Sequence, residues 1–326
     1  MSRGFVLGKF LPPHQGHVYL CDFAQNYADD LTILVCSLDR DPIPGHLRHA
    51  WMAEMFPRCR VLHLHDNHVP QEPSEHPDFW SIWRSIVHRH HPEPLDFVFA
   101  SETYGHRLAE EVGARFVPVD LAREVVPISG TKVRERPFLH WRDIPAVVRP
   151  YFLKRVCVFG PESTGRSTLA LRLAEAYETT WVPEYGRIHT DHFGTRMTVE
   201  DLLSIVRGHR ASEKAASKIA NRLLVEDTDP YLTLVWSDML LHSRDPALVA
   251  AAEAAPPADL YLLTDIDLPW ANDGTRYFGE DHLRRRFFDL CEGELAARGM
   301  TSVTLKGNWD ERFRTARAAI DALLWG

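Results

Sequence analysis

Short apolar runs alternate with amphipathic, helix-like stretches along the whole chain. The apolar runs predict strands, and apolar positions at helical spacing predict the helices between them. In the N-terminal half the predicted strands are 4–7, 31–36, 60–64, 95–100 and 115–117, and the predicted helices are 18–28, 47–56, 79–90 and 104–112. Strands that alternate with helices favour parallel sheets with right-handed crossovers. The pattern therefore predicts an α/β fold.

The same alternation restarts in the C-terminal half. Residues 144–150, which are flanked by prolines, are predicted to form a short connecting helix before a new strand at 155–159. Further strands are predicted at 180–183, 223–226, 260–264 and 302–305, with helices that include 198–221 and 310–324. A chain of 326 residues exceeds the usual size of a single core. We therefore predict two domains, 1–150 and 151–326.

Composition limits the classes of partner. The formal net charge is −8, whereas proteins that bind nucleic acid usually carry a basic surface that neutralises backbone phosphates. No uninterrupted apolar segment approaches the length of a membrane span. We therefore expect no nucleic-acid partner and no membrane partner.

Cysteine usage and the N-terminus indicate the compartment. The five cysteines are scattered, odd in number and never spaced as C-x-x-C, which is typical of reduced thiols. The chain begins directly with the first predicted strand, without a basic region and an apolar leader. Both observations predict a cytoplasmic protein.

The first candidate site lies between the first predicted strand and the helix that follows it. The sequence there is G-K-F-L-P-P-H-Q-G-H, and the N–H groups and dipole at the start of a helix favour an anion. A solvated turn that happens to contain histidines is the alternative for a bare H-x-G-H. The full string after a strand instead predicts a phosphate site with Gly8, Lys9, Phe10, His14, Gly16 and His17 as its candidates.

A second motif, I-S-G-T-K-V-R at residues 128–134, lies at the far end of the first predicted domain. Ser129 and Thr131 can cap a helix and donate to phosphate, and Arg134, one turn into that helix, can reach β- and γ-phosphates. In isolation the motif would usually be an ordinary capped helix. Arg48, near the start of another predicted helix, is a further candidate for the triphosphate.

The third motif, G-P-E-S-T-G-R-S-T at residues 160–168, follows the predicted strand 155–159. It matches the P-loop pattern G-x-x-x-x-G-K-[ST] except that Arg166 replaces lysine. Arginine is larger and planar, so we expect phosphate binding but slower transfer, with Arg166→Lys raising turnover. The candidates in this loop are Gly160, Ser163, Thr164, Gly165, Arg166, Ser167 and Thr168.

Acidic residues at strand ends complete the second candidate site. Asp227 ends an apolar run and, with Ser167, is predicted to hold Mg²⁺, although a helix cap is the alternative for such an acid. Glu184 could accept the proton of a substrate hydroxyl. Residues 270–276 and the arginines 284–286 are predicted to form a lid, with a solvated face as the alternative for the arginine run.

Together these motifs resemble a known enzyme family. The first two resemble the signatures of the nucleotidylyltransferase superfamily. With the P-loop and the elements E-Y-G-R (184–187), D-T-D (227–229) and P-W-x-x-D-G-x-R (269–276), their order resembles the bifunctional NadR family over nearly the whole chain. The resemblance implies a Rossmann-like nucleotidylyltransferase domain followed by a P-loop kinase domain.

In that family the kinase converts nicotinamide riboside to nicotinamide mononucleotide (NMN), and the adenylyltransferase joins NMN to AMP, giving NAD. The resemblance thus implies nicotinamide riboside, NMN, ATP and NAD as ligands and Mg²⁺ as cofactor, and leaves a homo-oligomer open. Some members carry an N-terminal helix-turn-helix repressor domain, and we expect no repression because this chain begins with the first strand. The implied substrate-binding residues are Tyr185, Arg187, Asp229 and Trp270 for the riboside and Trp80 or Trp83 for NMN; the aromatic residues could equally belong to the core.

Other functions stay open at this point. Only the adenylyltransferase could be active, with the kinase domain kept for binding or regulation, because Arg166 departs from the P-loop pattern. A different nucleotidylyltransferase, acting on pantetheine phosphate or a related ester, and a non-catalytic nucleotide sensor are the remaining alternatives. None of the 18 histidines shows a spacing that indicates a metal site.

Overall fold

A computed structural model describes residues 1–272, 274 and 276–326. The chain divides into two compact units, Met1–Arg149 and Pro150–Gly326. Each unit is built on a five-stranded sheet whose paired strands are all parallel. The predicted α/β class with two parallel sheets is confirmed.

The sheet of the first unit has the order β3-β2-β1-β4-β5. Its strands are β1 (Arg3–Gly8), β2 (Asp30–Ser37), β3 (Arg60–His65), β4 (Phe97–Ala100) and β5 (Arg115–Pro118). Its helices are α1 (Gln15–Tyr27), α2 (Gly45–Met55), α3 (Phe79–His90), α4 (Tyr104–Val112) and α5 (Gly130–Glu135). The strand order reverses at β1, so the crevice at its carboxyl end is where such folds bind ligands.

Both faces of this sheet are buried. On β1, Val6 belongs to one hydrophobic cluster and Phe5 to another, because successive side chains of a strand point to opposite faces. The first cluster includes Leu20 of α1, and the second includes Trp83 of α3. Helices therefore cover both faces, which explains the continuous apolar runs of the strands.

The sheet of the second unit has the order β10-β9-β6-β8-β7. Its strands are β6 (Lys154–Phe159), β7 (Trp181–Val182), β8 (Leu223–Asp227), β9 (Leu260–Thr264) and β10 (Ser302–Leu305). Its helices are α6 (Arg166–Ala176), α7 (Tyr185–Phe193), α8 (Val199–Ala216), α9 (Pro230–Leu240), α10 (Pro246–Glu253), α11 (Asp281–Ala297) and α12 (Trp309–Trp325). Here β6 is the central strand, and the P-loop follows it.

Two predicted helices differ from the structure. The helix predicted at 144–150 is absent: short 3₁₀ turns at Trp141–Asp143 and Arg149–Tyr151 flank a segment that buries Ile144 and Val148. Prolines 145 and 150 lack the N–H that a regular helix needs, which accounts for the difference. The helix predicted at 198–221 ends at Ala216, because the chain turns there to enter β8.

Two further facts concern the cysteines and the helices of the described residues. All five cysteines are free thiols, and four of them are buried. In the part of the chain that the structure describes, no helix combines the length and apolar character needed to cross a membrane.

Candidate active sites

The first phosphate loop leaves β1 through a tight backbone turn. Phe10 has a φ of 47° and is 1% exposed, and its ring lies over Gly8. A Cβ at Gly8 would come within 3.1 Å of that ring, so the glycine permits the close approach. Lys9, between them, is exposed. The loop therefore has a fixed backbone and one cationic side chain directed to solvent.

His14 and His17 stack on each other at the start of α1. Their ring centroids are 3.7 Å apart, and the His14 N–H donates to His17 Nδ1 at 3.3 Å. Burial, followed by the charge of Arg123, lowers the pKa of His14 to about 4. Burial and the neighbouring His14 lower the pKa of His17 as well. Both imidazoles are thus neutral near pH 7 and act as hydrogen-bonding groups, and His14 Nδ1 has no partner among the described residues.

The second motif packs directly onto the first loop. Ser129 caps α5, as predicted: its Oγ accepts the backbone N–H of Lys132 at 3.3 Å. Arg134 donates through Nη1 to the Leu11 carbonyl and through Nη2 to Thr131 Oγ1. A Cβ at Gly130 would lie 2.4 Å from the Leu11 oxygen, so glycine there allows the contact. The structure brings together the two motifs that the sequence separates by more than a hundred residues.

Arg48 is not available for triphosphate, contrary to the prediction. Its side chain is wholly buried and donates to the carbonyls of Lys9, Ile43 and Cys36. It also pairs with the carboxylate of Asp41. Arg48 therefore fixes the backbone of the first phosphate loop from behind. The position near a helix start was correctly recognised, but sequence alone does not show which way the side chain points.

The tryptophans proposed for NMN differ in their surroundings. Trp83 is 7% exposed, packs in the core under α3, and donates its Nε1–H to the Pro70 carbonyl at 3.1 Å. These contacts agree with the core alternative, and contact of Trp83 with NMN stays a prediction. Trp80 is partly buried and packs against the same cluster, with Phe79 edge-on at 5.0 Å.

The P-loop of the second unit wraps the amino end of α6. Gly160 has a φ of +138°, and a Cβ there would lie 2.6 Å from Thr264 Oγ1. Gly165 has a φ of +83°, and a Cβ there would strike the ring of Trp309 at 2.3 Å. Thr164 Oγ1 bonds to Thr264 Oγ1 at 2.7 Å. Both glycines are required by conformation and space, while Thr164 is occupied within the loop.

A buried arginine that the sequence analysis missed supports this loop. Arg312 of α12 is 1% exposed and donates to the carbonyls of Thr164 at 2.8 Å and Asp265 at 2.8 Å. It also pairs with the carboxylate of Asp267. No local motif announces this residue, since it lies 148 positions after the loop residue that it contacts.

Three charged side chains meet in front of the P-loop. Arg166, 5% exposed, donates from Nη2 to Glu184 Oε2 at 3.0 Å, while its buried Nη1 has no partner in the described residues. Burial raises the pKa of Asp227 to about 6 against the opposing charge of Arg166. The Ser167 hydroxyl is near enough to oppose that rise, although neither Asp227 oxygen receives a hydrogen bond from the described residues.

A cavity of about 150 Å³ opens onto this cluster. Charged and hydroxyl groups form one side, and the apolar side chains Met197, Leu202, Ile205 and Trp236 form another. The predicted residues on its lining are Ser163, Gly165, Arg166, Ser167, Thr168, Glu184 and Arg187. The arrangement has a phosphate loop, a candidate base and an apolar wall around one space, which suits a nucleoside acceptor.

Two residues predicted to bind substrate make contacts within the second unit. Asp229 is 2% exposed and caps α9 through two backbone N–H groups, while its other oxygen accepts from Tyr261 Oη at 2.7 Å. Every oxygen is thus occupied. Tyr185 packs against α8, where a Cβ at Gly208 would lie 2.1 Å from its ring. The prediction for Asp229 is wrong because its carboxylate is buried and already bonded, whereas riboside binding by Tyr185 stays a prediction.

The predicted lid is only partly described. Trp270 is partly buried and lies against Gly279, where a Cβ would be 3.2 Å from its ring. Its Nε1–H is buried without a partner in the described residues, and Asp273 and Thr275 of the same motif lie outside those residues. Arg276 lines the cavity.

The arginine run at the start of α11 divides into different roles. Arg284 is 7% exposed and donates to the carbonyls of Ile266 and Leu268. Arg285 lies over the ring of Phe288, 5.5 Å from its centroid, and Arg286 is exposed. The lid prediction is therefore wrong for Arg284, which ties α11 to the end of β9.

Comparisons with known proteins agree with this architecture. A family model described as an AAA domain matches residues 155–312. The "Trifunctional NAD biosynthesis/regulator protein NadR" of Escherichia coli (strain K12) is 30% identical over 334 residues, covering 95% of this chain and 80% of that protein. The protein of the same name from Salmonella typhimurium (strain LT2) gives the same values. The chain belongs to the NadR family.

Solved structures of NadR proteins share the fold. One, a complex with NAD and AMP-PNP, has a TM-score of 0.81 at 22% identity and covers 99% of this chain and 96% of that chain. Another, a complex with NR, has a TM-score of 0.81 at 23% identity and covers 98% of this chain and 95% of that chain. The predicted family and the predicted order of a Rossmann-like unit and a P-loop unit are confirmed.

Proposed function

We propose that this NadR-family protein makes NAD in two steps. The second unit phosphorylates nicotinamide riboside to NMN with ATP, and the first unit joins NMN to the AMP part of ATP, releasing pyrophosphate. Support comes from one central observation: each unit contains its own phosphate loop at the carboxyl end of its central strand. The names of the relatives and the ligands of the NadR structures, NAD, AMP-PNP and NR, support this choice of substrates.

In the adenylyl transfer of the first unit, the phosphate oxygen of NMN attacks the α-phosphorus of ATP, and the bond from that phosphorus to the oxygen of the β-phosphate breaks. No protein nucleophile is needed, so position and charge stabilisation must supply the rate. His14 and His17 donate hydrogen bonds near the α-phosphate, and Lys9 and Arg134 bind along the triphosphate. Ser129, Thr131 and the N–H groups around Gly8, Phe10 and Gly16 bind the nucleotide. The neutral imidazoles fit because they donate without adding a fixed charge before ATP arrives.

In the phosphoryl transfer of the second unit, the riboside hydroxyl oxygen attacks the γ-phosphorus of ATP. The hydroxyl proton passes to Glu184, and ADP leaves. The N–H groups of residues 160–168 bind the phosphates, and Nη1 of Arg166, which has no partner in the described residues, would bind them as well. Arg166 donates to Glu184 at 3.0 Å, and this contact would orient the carboxylate that accepts the proton. Arg187 lies on the cavity wall, and it would contact the riboside.

Residues of the second unit fit a magnesium ion that arrives with ATP. In the described part of the chain, no group of three or more His, Cys, Asp or Glu side chains could hold a metal ion unaided. Asp227, however, is a buried carboxylate whose two oxygens are unpartnered, and the Ser167 hydroxyl is nearby. Ser167 and, through water, Asp227 would hold Mg²⁺, which neutralises charge on the phosphates. ATP oxygens would complete the coordination.

A second candidate function rests on the same cluster. Because Arg166 already pairs with Glu184, the second unit could bind nucleotide and riboside without transferring phosphate. The adenylyltransferase would then be the one activity of the chain. This alternative predicts ATP binding at the P-loop and no ADP when riboside is supplied.

One experiment separates these functions. The full chain is incubated with Mg-ATP and either nicotinamide riboside or NMN, and NMN, NAD, ADP and pyrophosphate are resolved by chromatography. The proposal expects NAD and pyrophosphate from NMN, and NMN, ADP and then NAD from riboside. NAD from NMN but no ADP from riboside supports the alternative. No pyrophosphate from NMN contradicts the assignment of the first unit.

A further inference from the structure

Two side chains of the P-loop bind a segment that lies more than a hundred residues away. Glu162 is 7% exposed, and its Oε1 accepts the backbone N–H groups of Tyr277, at 2.8 Å, and Phe278. A buried carboxylate is costly unless such donors satisfy it. The carboxylate therefore holds this segment by two directed bonds.

The neighbouring P-loop residue binds the same segment. Ser163 Oγ accepts the backbone N–H of Ala271 at 2.9 Å and Nη1 of Arg276 at 2.7 Å. Both P-loop residues occupy variable positions of the G-x-x-x-x-G pattern, so phosphate binding by the loop does not itself require them. We call the residues they hold, Ala271, Arg276, Tyr277 and Phe278, the roof segment.

The roof segment closes one side of the cavity that contains Arg166 and Glu184. Arg276 and Tyr277 line this cavity, and Tyr277 Oη donates to the Thr195 carbonyl at 2.6 Å. Trp236, which also lines the cavity, packs against the roof segment, with its ring centroid 5.8 Å from that of Tyr277 and 6.1 Å from that of Phe278. The shape of the acceptor space therefore depends on where the roof segment is held.

We propose that Glu162 is a positioning residue that fixes the roof segment over the cavity and thereby sets the affinity for the nucleoside acceptor. This inference rests on the proposed kinase function of the second unit. Its consequence is specific: loss of the two bonds weakens riboside binding, while ATP binding by the phosphate loop changes little. A side chain that instead bound ATP or its metal ion would affect ATP first.

The test compares Glu162→Ala with Glu162→Gln in the full chain. Alanine removes the acceptor oxygen, whereas glutamine keeps a carbonyl oxygen at the same place without the charge. Glu292→Ala, which changes an exposed glutamate of α11, is the matched control. For each protein, kcat and KM are measured for nicotinamide riboside at saturating ATP and for ATP at saturating riboside. Thermal unfolding of the same preparations reports whether the second unit is folded, because adenylylation depends on the separately compact first unit.

We expect Glu162→Ala to raise KM for riboside by about tenfold or more, the scale of losing hydrogen bonds to a charged group. KM for ATP should stay within about twofold, and Glu162→Gln should recover most of the riboside affinity. Equal loss in both variants would mean that the charge matters and would overturn the inference, as would a larger change in KM for ATP. An unchanged Glu162→Ala enzyme overturns it directly.

Amide hydrogen exchange gives a readout that does not need kinase activity. The amides of Tyr277 and Phe278 should exchange faster in Glu162→Ala than in the parent chain, with Glu162→Gln between them. If the parent transfers no phosphate to riboside, the proposed function fails, and titration of riboside by calorimetry decides the inference in place of KM. Unaltered exchange in Glu162→Ala contradicts the contact on which the inference depends.

Discussion

The two phosphate loops of this chain are supported in the same way, but the charged side chains beside them differ. A buried arginine supports each loop by donating hydrogen bonds to backbone carbonyls and by pairing with one carboxylate. Arg48 pairs with Asp41 in the first unit, and Arg312 pairs with Asp267 in the second. In front, the loops differ. The first shows an exposed Lys9 and neutral imidazoles, whereas the second has a buried Arg166 already paired with a carboxylate.

That difference predicts how each site fails. A site made of neutral donors and solvent-facing charge can lose one member and keep the rest in place. A buried cluster of opposite charges cannot, because removing one partner leaves the other unpaired in a low-dielectric surrounding. We therefore expect substitutions in the second site to change both chemistry and position, and those in the first site to change mainly rate.

The largest expected effect is at Glu184. Glu184→Gln removes the proposed proton acceptor and the charge that pairs with Arg166, so riboside phosphorylation should fall by about three orders of magnitude. Formation of ADP from ATP and riboside is the measurement. Adenylylation of NMN by the same protein should be unchanged, since the two units are separately compact. A folded variant that loses both activities would contradict this independence.

The second-largest loss of activity is expected for His17→Ala in the first site. Its imidazole stacks on His14 and is expected to donate toward the α-phosphate, so turnover of NMN should drop by roughly two to three orders of magnitude. Pyrophosphate release at saturating NMN and ATP is measured, with riboside phosphorylation as the internal control. Turnover close to that of the parent would remove His17 from the proposed mechanism.

Equivalent substitutions of Arg48 and Arg312, the arginines that support the two loops, allow the stability of the two units to be compared. Arg48→Met leaves Asp41, whose side chain is 8% exposed, without its partner, and should cost the first unit about 3–5 kcal/mol of unfolding free energy. Arg312→Met leaves Asp267, which is 38% exposed and can be solvated, so the cost to the second unit should be smaller. Chemical denaturation followed by unit-specific activity measures both. A larger loss at Arg312 would mean that the bonds to carbonyls, rather than the ion pair, dominate.

Sequence patterns predicted the elements better than the directions of side chains. Residues 260–264 and 302–305 were predicted as strands and 79–90 and 104–112 as helices with the bounds that the structure shows, because hydrophobic periodicity directly reflects which face is buried. The P-loop glycines were also recognisable, since conformation leaves no alternative to glycine there. Local patterns carry this kind of information well.

Side-chain partners could not be predicted in the same way. Asp227 ends β8 and Asp229 follows it two residues later, yet Asp229 caps a helix and Asp227 is a carboxylate without a hydrogen-bond partner in the described residues. Arg48 and Arg312 bind carbonyls that come from distant parts of the chain, so no spacing in the sequence reveals them. These outcomes depend on tertiary contacts, which local sequence patterns do not specify.

The smallest predicted effect is at Arg166, the residue in which the second phosphate loop departs from the P-loop pattern. From the sequence we expected that lysine would restore a faster kinase, but the geometry favours the opposite outcome. Arg166 binds Glu184 through Nη2 and keeps Nη1 for phosphate, and a single ammonium group cannot serve both positions. Arg166→Lys should therefore lower turnover on riboside by about tenfold, the scale of one misplaced charge-assisted bond. Single-turnover ADP formation with saturating ATP measures this, and a lysine variant faster than the parent would show that the arginine pairing restrains the proposed base.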